Sequence, residues 1–216
     1  MKSILVIGMG KFGQYTAAKL SELGHDVMAI DKKKKRVDKI MDRVTGVRIG
    51  NAADKEFLES LGVRDFDLCI VCIGDAFLKS LEITSLLKEL GAPQVVSRAT
   101  SSAQEKFLLR NGADAVVFPE RQLANWTAIR FSSNRIENYI EVSDGYSIYE
   151  VQIPEQWDGR RIDEIDVRKR YGINILGIRN GKMNMSPSHD TLLRKEDTML
   201  VLGKDEKLQA LFHLHR

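Results

Sequence analysis

Hydrophobic and polar positions alternate along the 216-residue chain in short blocks. Residues 4–7 are an apolar run of strand length. Residues 12–23 then carry apolar positions at helical spacing, and Gly24 supplies a stop. The unit recurs, with strands expected at 26–30, 44–49, 68–73, 94–97 and 115–118. Between them the pattern predicts a charged helix near 35–41, a helix from the 50–54 turn to Leu61 with Gly62 as its cap, and helices at 76–90 and 101–111, the last with Ser101 or Ser102 as N-cap. Six strands alternating with helices over short links require parallel pairing and right-handed crossovers, so the expected fold is α/β, a doubly wound parallel Rossmann-type sheet.

Beyond Phe118 the period changes. Residues 119–131 read as one more helix, and Ser132-Ser133-Asn134 marks a polar junction. Residues 136–142 and 146–153 alternate around Asp144-Gly145 as a hairpin does, and 173–178 and 182–185 flank Asn180-Gly181, a strong hairpin signal. A helix at 162–171, a strand at 198–202 and a terminal helix complete a smaller α+β unit. The expected division is 1–134 and 135–216. So small a second unit buries a modest core alone and gains stability from pairing with a copy of itself.

The chemistry concentrates in Gly8-Met9-Gly10-Lys11-Phe12-Gly13, directly after the first strand and at the start of the first helix. Gly8 allows a tight turn, Gly10 lets backbone approach a phosphate, and Gly13 lets helix and sheet pack closely. The helix then points its unpaired N–H groups at the anion. Asp31, 18 residues past Gly13 and at the end of the second strand, stands where a carboxylate accepts hydrogen bonds from ribose hydroxyls. Ligands of such sheets bind outside the carboxyl ends of the strands, which here carry Gly8, Asp31, Asn51, Gly74, Arg98 and Glu120.

Charge narrows the function. With 33 basic and 30 acidic residues the chain has a formal charge of +3, too balanced for a nucleic-acid footprint. No apolar run reaches the length of a membrane span, and no secretory h-region precedes the first strand, so a soluble cytoplasmic protein is expected. Cys69 and Cys72 form a Cys-x-x-Cys, but on one strand they face opposite sides of the sheet and read as small core hydrophobes. The run Lys32-Lys33-Lys34-Lys35-Arg36 raises a 2′-phosphate contact. Asp31 disfavours it by repulsion, leaving a solvated helix start, or a salt-sensitive anionic contact, as the better reading. The histidines, His25, His189, His213 and His215, assemble no acid–base pair against a nicotinamide. A nucleotide sensor therefore fits better than an oxidoreductase. A small NAD(P)-dependent oxidoreductase with an inter-subunit active site stays open as the alternative, while no helix-turn-helix supports a DNA-binding regulator.

Taken with the Gly-x-Gly-x-x-Gly stretch and Asp31, the motifs Gly50-Asn51-Ala52 with Asp54, Val117-Phe118-Pro119-Glu120, Asp166-Val167-Arg168, Tyr171-Gly172 and Asn174-Ile175 resemble the cytoplasmic regulatory subunits of Ktr- and Trk-type potassium transporters, built from RCK (KTN) and RCK_C (TrkA-C) domains. The resemblance spans nearly the whole chain. It implies a non-enzymatic gating subunit that binds ATP or ADP, or NAD or NADH, assembles as a dimer-based octameric ring, and lies at the inner face of the membrane through an integral membrane potassium-translocating subunit. It implies that Gly8, Gly10, Phe12 and Gly13 shape the cradle, that Lys11 reaches the terminal phosphate, and that Asp31, with Lys32 beside it, holds the ribose. Asn51, Ala52, Asp54, Ile73 and Gly74 would then surround the adenosine, and Arg98 would contact phosphate or a neighbouring subunit. Glu120 matches a carboxylate that helps hold a cation, Mg²⁺ or Ca²⁺ on oxygen-ligand grounds. In the second domain, Ile162, Ile165, Arg168, Asn174, Ile175 and Pro187 match positions that bind cyclic di-AMP in Gram-positive relatives.

Overall fold

The computed structural model describes residues 1–212, so His213 and His215 lie outside the described residues. The chain divides into two compact units, Met1–Glu120 and Arg121–Arg216. This division falls earlier than the 134/135 boundary read from the sequence, because the later part of helix Pro119–Phe131 is tied to the second unit. Ile129 packs against the second core, and Arg130 donates to the Ile136 carbonyl and, at 3.2 Å, to Glu137.

The first unit alternates β1 (Ser3–Ile7), α1 (Lys11–Glu22), β2 (Asp26–Asp31), α2 (Lys34–Val37), β3 (Gly46–Ile49), α3 (Lys55–Ser60), β4 (Leu68–Val71), α4 (Phe77–Glu89), β5 (Val95–Arg98), α5 (Ser102–Arg110) and β6 (Ala115–Val117). All pairings are parallel, in the order β3-β2-β1-β4-β5-β6. Strand β1 is apolar at consecutive positions because both sheet faces are covered. Leu5 and Ile7 enter a core with Ile30, Val71 and Leu87, while Ile4 and Val6 enter one with Ala17, Val27 and Ile40. The chain reverses direction of strand addition at β1, so the carboxyl ends of β1 and β4 open a crevice there. The helix expected at 35–41 is only α2, followed by a 3-10 turn at Met41–Arg43. Its N-cap, Lys33, offers no side-chain acceptor, and Lys34, Lys35 and Arg36 crowd like charges into one turn.

The second unit has an antiparallel sheet made of β7 (Ile136–Ser143), β8 (Tyr146–Gln152), β9 (Asn174–Asn180), β10 (Lys182–Asn184) and β11 (Thr198–Lys204), in the order β10-β9-β11-β8-β7. Helix α6 (Pro119–Phe131) precedes it, and α9 (Asp205–Phe212) comes after it. Ser143 pairs with Tyr146, and Asp144 and Gly145 both have positive φ, 51° and 73°, as a two-residue turn matching strand twist requires. Trp157, Tyr149, Met199, Val201 and Phe212 form the core, with Trp157 5.5 Å from the Tyr171 ring. The single helix expected at 162–171 is instead two, α7 (Ile162–Ile165) and α8 (Val167–Tyr171), broken at Asp166 with φ 50°. Ile165 and Val167 are both buried in this core. A continuous helix would turn residues two apart to nearly opposite sides, and the left-handed Asp166 brings both inward.

Candidate functional site

Four sequence segments converge at the carboxyl ends of β1, β2, β4 and β5. Gly8 adopts φ +94°, donates its N–H to the Ile30 carbonyl at 2.7 Å, and would bring a Cβ within 2.8 Å of Ile73. A Cβ on Gly13 would stand 2.0 Å from the Gly8 carbonyl oxygen, so this position sets how closely α1 approaches the turn. Gly10 differs from both: nothing lies within 4 Å of where its Cβ would be. The space above the cradle is open, as a phosphate against bare backbone needs.

Asp31 locks the turn between β1 and α1 to the one after β2. Its carboxylate accepts from Met9 N–H at 2.8 Å and Lys33 N–H at 2.8 Å, and pairs with the Arg36 guanidinium at 3.3 Å. The residue is 6% exposed. On the far side, Arg98 lies over the Phe12 ring, 5.5 Å from its centroid, and packs so tightly on Gly74 that a Cβ there would come 2.8 Å from its Nη1. Arg98 also pairs with Glu120.

Between these walls is a cleft of about 990 Å³, large enough for a nucleotide. Gly8, Gly10, Lys11, Phe12, Asp31, Lys32, Asn51, Ala52, Ile73, Gly74, Arg98 and Glu120 all line it. Gly13 and Asp54 are not among its lining residues. Gly13 serves packing, and the Asp54 carboxylate caps α3 by accepting from Glu56 N–H at 3.0 Å and Phe57 N–H at 3.4 Å. Sequence reasoning misses Lys33, Arg36, Asp75 and Lys79, which also line the cleft. Along the chain Lys33 and Arg36 stand out only as part of a basic run; in the fold the Lys33 N–H and the Arg36 guanidinium both meet the Asp31 carboxylate. Six cationic side chains thus face three carboxylates, a balance suited to an anion.

Glu120 fits a resident metal poorly, since its carboxylate is engaged by Arg98 and, among the described residues, no group of three or more His, Cys, Asp or Glu side chains is placed to hold one. In the second unit Ile165 is 1% exposed and so cannot wall a ligand, while Ile162 and Ile175 pack against the same core. Arg168 and Asn174 are exposed, and Pro187 is half-buried. His25, away from the cleft, accepts the Lys2 N–H at 3.3 Å through Nδ1.

The two cysteines are free thiols on opposite faces of the sheet, Cys69 in one core and Cys72 in the other. Burial pushes both up to about 12. Neither is a thiolate at neutral pH. Both are therefore expected to ignore a thiol reagent at pH 8 in the folded protein and to react fully in denaturant; rapid labelling of the native chain would refute this.

Residues 4–119 match the TrkA-N domain family, and residues 147–216 match the TrkA-C domain family. The chain belongs to the TrkA-N/TrkA-C family. It is 36% identical over 203 residues to Ktr system potassium uptake protein C of Bacillus subtilis, covering 94% of this chain and 92% of that protein. To Ktr system potassium uptake protein A of the same organism it is 34% identical over 209 residues, 96% and 94% of the two chains. Among solved structures, the GsuK RCK domain superposes with a TM-score of 0.69 over 99% of this TrkA-N/TrkA-C chain and 47% of the other. The GsuK channel bound to NAD gives 0.69 over 100% and 39%. At 20% and 19% identity these show the shared fold, and the chain spans less than half the length of either. The Kef C-terminal domain of Shewanella denitrificans in its AMP-bound form is 29% identical, with a TM-score of 0.52 over 59% of this chain and 77% of that one.

Proposed function

We propose that this chain is the nucleotide-sensing regulatory subunit of a bacterial potassium uptake transporter, binding an adenine nucleotide (ATP or ADP, or NAD or NADH) and gating a membrane-embedded potassium-translocating partner from the cytoplasmic side. One observation carries the reading: an open glycine cradle at Gly10 enters a cleft ringed by Lys11, Lys32, Lys33, Arg36, Lys79 and Arg98. Among the described residues no histidine lines that cleft, and its carboxylates are two engaged by arginines plus Asp75. Such a site binds and orients without an evident acid–base pair. The names of the Ktr relatives supply the transport context, and the NAD-bound GsuK channel and the AMP-bound Kef domain supply the ligand class.

The nucleotide acts by binding two conformations of an assembly of copies unequally, since a ligand with equal affinity for both shifts nothing. Gly10 and Lys11 hold the phosphates, Asn51, Ala52 and Ile73 hold the adenosine, and Arg98 joins Phe12, Gly74 and Glu120 at the phosphate end. Glu120 is the counter-ion of Arg98 in this reading, with no metal step.

Calorimetric titration of the full chain with ATP, ADP, NADH and AMP tests it. Binding of at least one is expected, and Lys11→Ala should reduce the advantage of a longer phosphate chain by about tenfold, in line with losing one charge-assisted contact. Absence of binding by all four would overturn the proposal, as would steady turnover of NADH with a carbonyl substrate.

A further inference from the structure

The basic run after β2 bears on which nucleotide the cleft prefers. From the sequence, Asp31 argues against a phosphate on the ribose because a free carboxylate repels it. The carboxylate is not free. One oxygen accepts from Lys33 N–H, and the other accepts from both Met9 N–H and the Arg36 guanidinium. A ribose diol normally takes two hydrogen bonds from this acid. Only one oxygen retains room for a further partner, and the neighbouring cation balances the negative charge. Around it, Lys32, Lys33 and Arg36 line the same end of the cleft, and Lys32 and Lys33 are exposed. With Arg36 paired to Asp31, the two lysines leave an excess of two positive charges, which makes this end attractive to a dianion.

We propose that the ribose end of the cleft recognises adenine nucleotides carrying a phosphate on the 2′-oxygen, with Lys32, Lys33 and Arg36 as its partners. The 2′ position comes from the fold, since the residue closing the second strand of such a sheet meets that hydroxyl, and an arginine nearby accommodates its phosphate. The two lysines act as point charges, whereas Arg36 has a planar fork and can bridge Asp31 and a phosphate oxygen. The inference rests on the adenine-nucleotide reading of this cleft and extends it beyond ATP, ADP, NAD and NADH, none of which carries a 2′-phosphate.

Calorimetry on the full chain with four ligands separates the two ideas: 5′-AMP, 5′-ADP, adenosine 2′,5′-bisphosphate and adenosine 3′,5′-bisphosphate. The 2′,5′-bisphosphate is expected to bind at least about tenfold more tightly than 5′-AMP and more tightly than its 3′,5′ isomer, with an advantage that shrinks as salt rises. The variant Lys32→Ala/Lys33→Ala should lose that advantage while keeping the 5′-ADP to 5′-AMP ratio. It removes two exposed side chains and leaves the Lys33 N–H on Asp31, so folding is preserved. Arg36→Ala should lower 2′,5′-bisphosphate affinity and raise that of 5′-AMP, because the Asp31 oxygen that accepts from Arg36 is freed to accept from the ribose diol. Binding of 5′-AMP or 5′-ADP with no gain from the 2′-phosphate, or an equal gain from the 3′-phosphate, overturns this inference and leaves the nucleotide reading standing. No binding by any of the four overturns both.

Discussion

Gly13→Ala abolishes adenine-nucleotide binding and destabilises the first unit by about 3 kcal/mol, the upper part of the range for forcing an extra carbon into a packed site. The added Cβ would lie 2.0 Å from the Gly8 carbonyl oxygen, with Gly8 C at 3.1 Å and the Cys72 Cβ at 3.2 Å. The first two are backbone atoms and cannot rotate aside, so α1 or the turn itself must move. Both tryptophans, Trp126 and Trp157, lie in the second unit. Their fluorescence should therefore keep its denaturation midpoint while the far-ultraviolet dichroism gains an early transition. Gly10→Ala is the contrasting variant. Gly10 has φ −68° and open space at its Cβ position, so stability should stay within about 0.5 kcal/mol while binding falls. Equal behaviour of the two variants would show that the cradle is not built as described.

Asp31→Ala should lower nucleotide affinity on the order of 100-fold and stability by about 2–4 kcal/mol, because it leaves partners behind rather than only removing a contact. Met9, fully buried, loses the acceptor of its N–H, Lys33 loses another, and Arg36 loses its counter-ion. Each stranded buried donor costs roughly 1–3 kcal/mol, and the loop bearing Gly8 and Gly10 loses its strut. Asp31→Asn keeps one carbonyl acceptor and should recover part of the stability. Titration and urea unfolding of the two variants check this. Unchanged stability in Asp31→Ala would mean that the carboxylate serves the ligand alone.

What could be read in the amino-acid order was whatever depends on neighbours a few residues apart. The strands from β1 to β6 and the glycine cradle come from apolar periodicity and glycine spacing, and the Asp144-Gly145 turn is local for the same reason. Their parallel order was legible because short helical links permit little else. The likeness to the TrkA-N and TrkA-C families was legible because its motifs are short and ordered along the chain. Tertiary structure decided which of several possible partners each side chain takes. Asp54 became a cap for α3, its carboxylate taken by the Glu56 and Phe57 amides. Ile165 became core, because the break at Asp166 turned it inward together with Val167. Glu120 met Arg98, 22 residues away, and Asp31 took the Arg36 guanidinium on the same oxygen that accepts from Met9 N–H, 22 residues back. Charge pairing of that kind depends on where chain ends and turns fall in space, a quantity that periodicity along the chain does not encode.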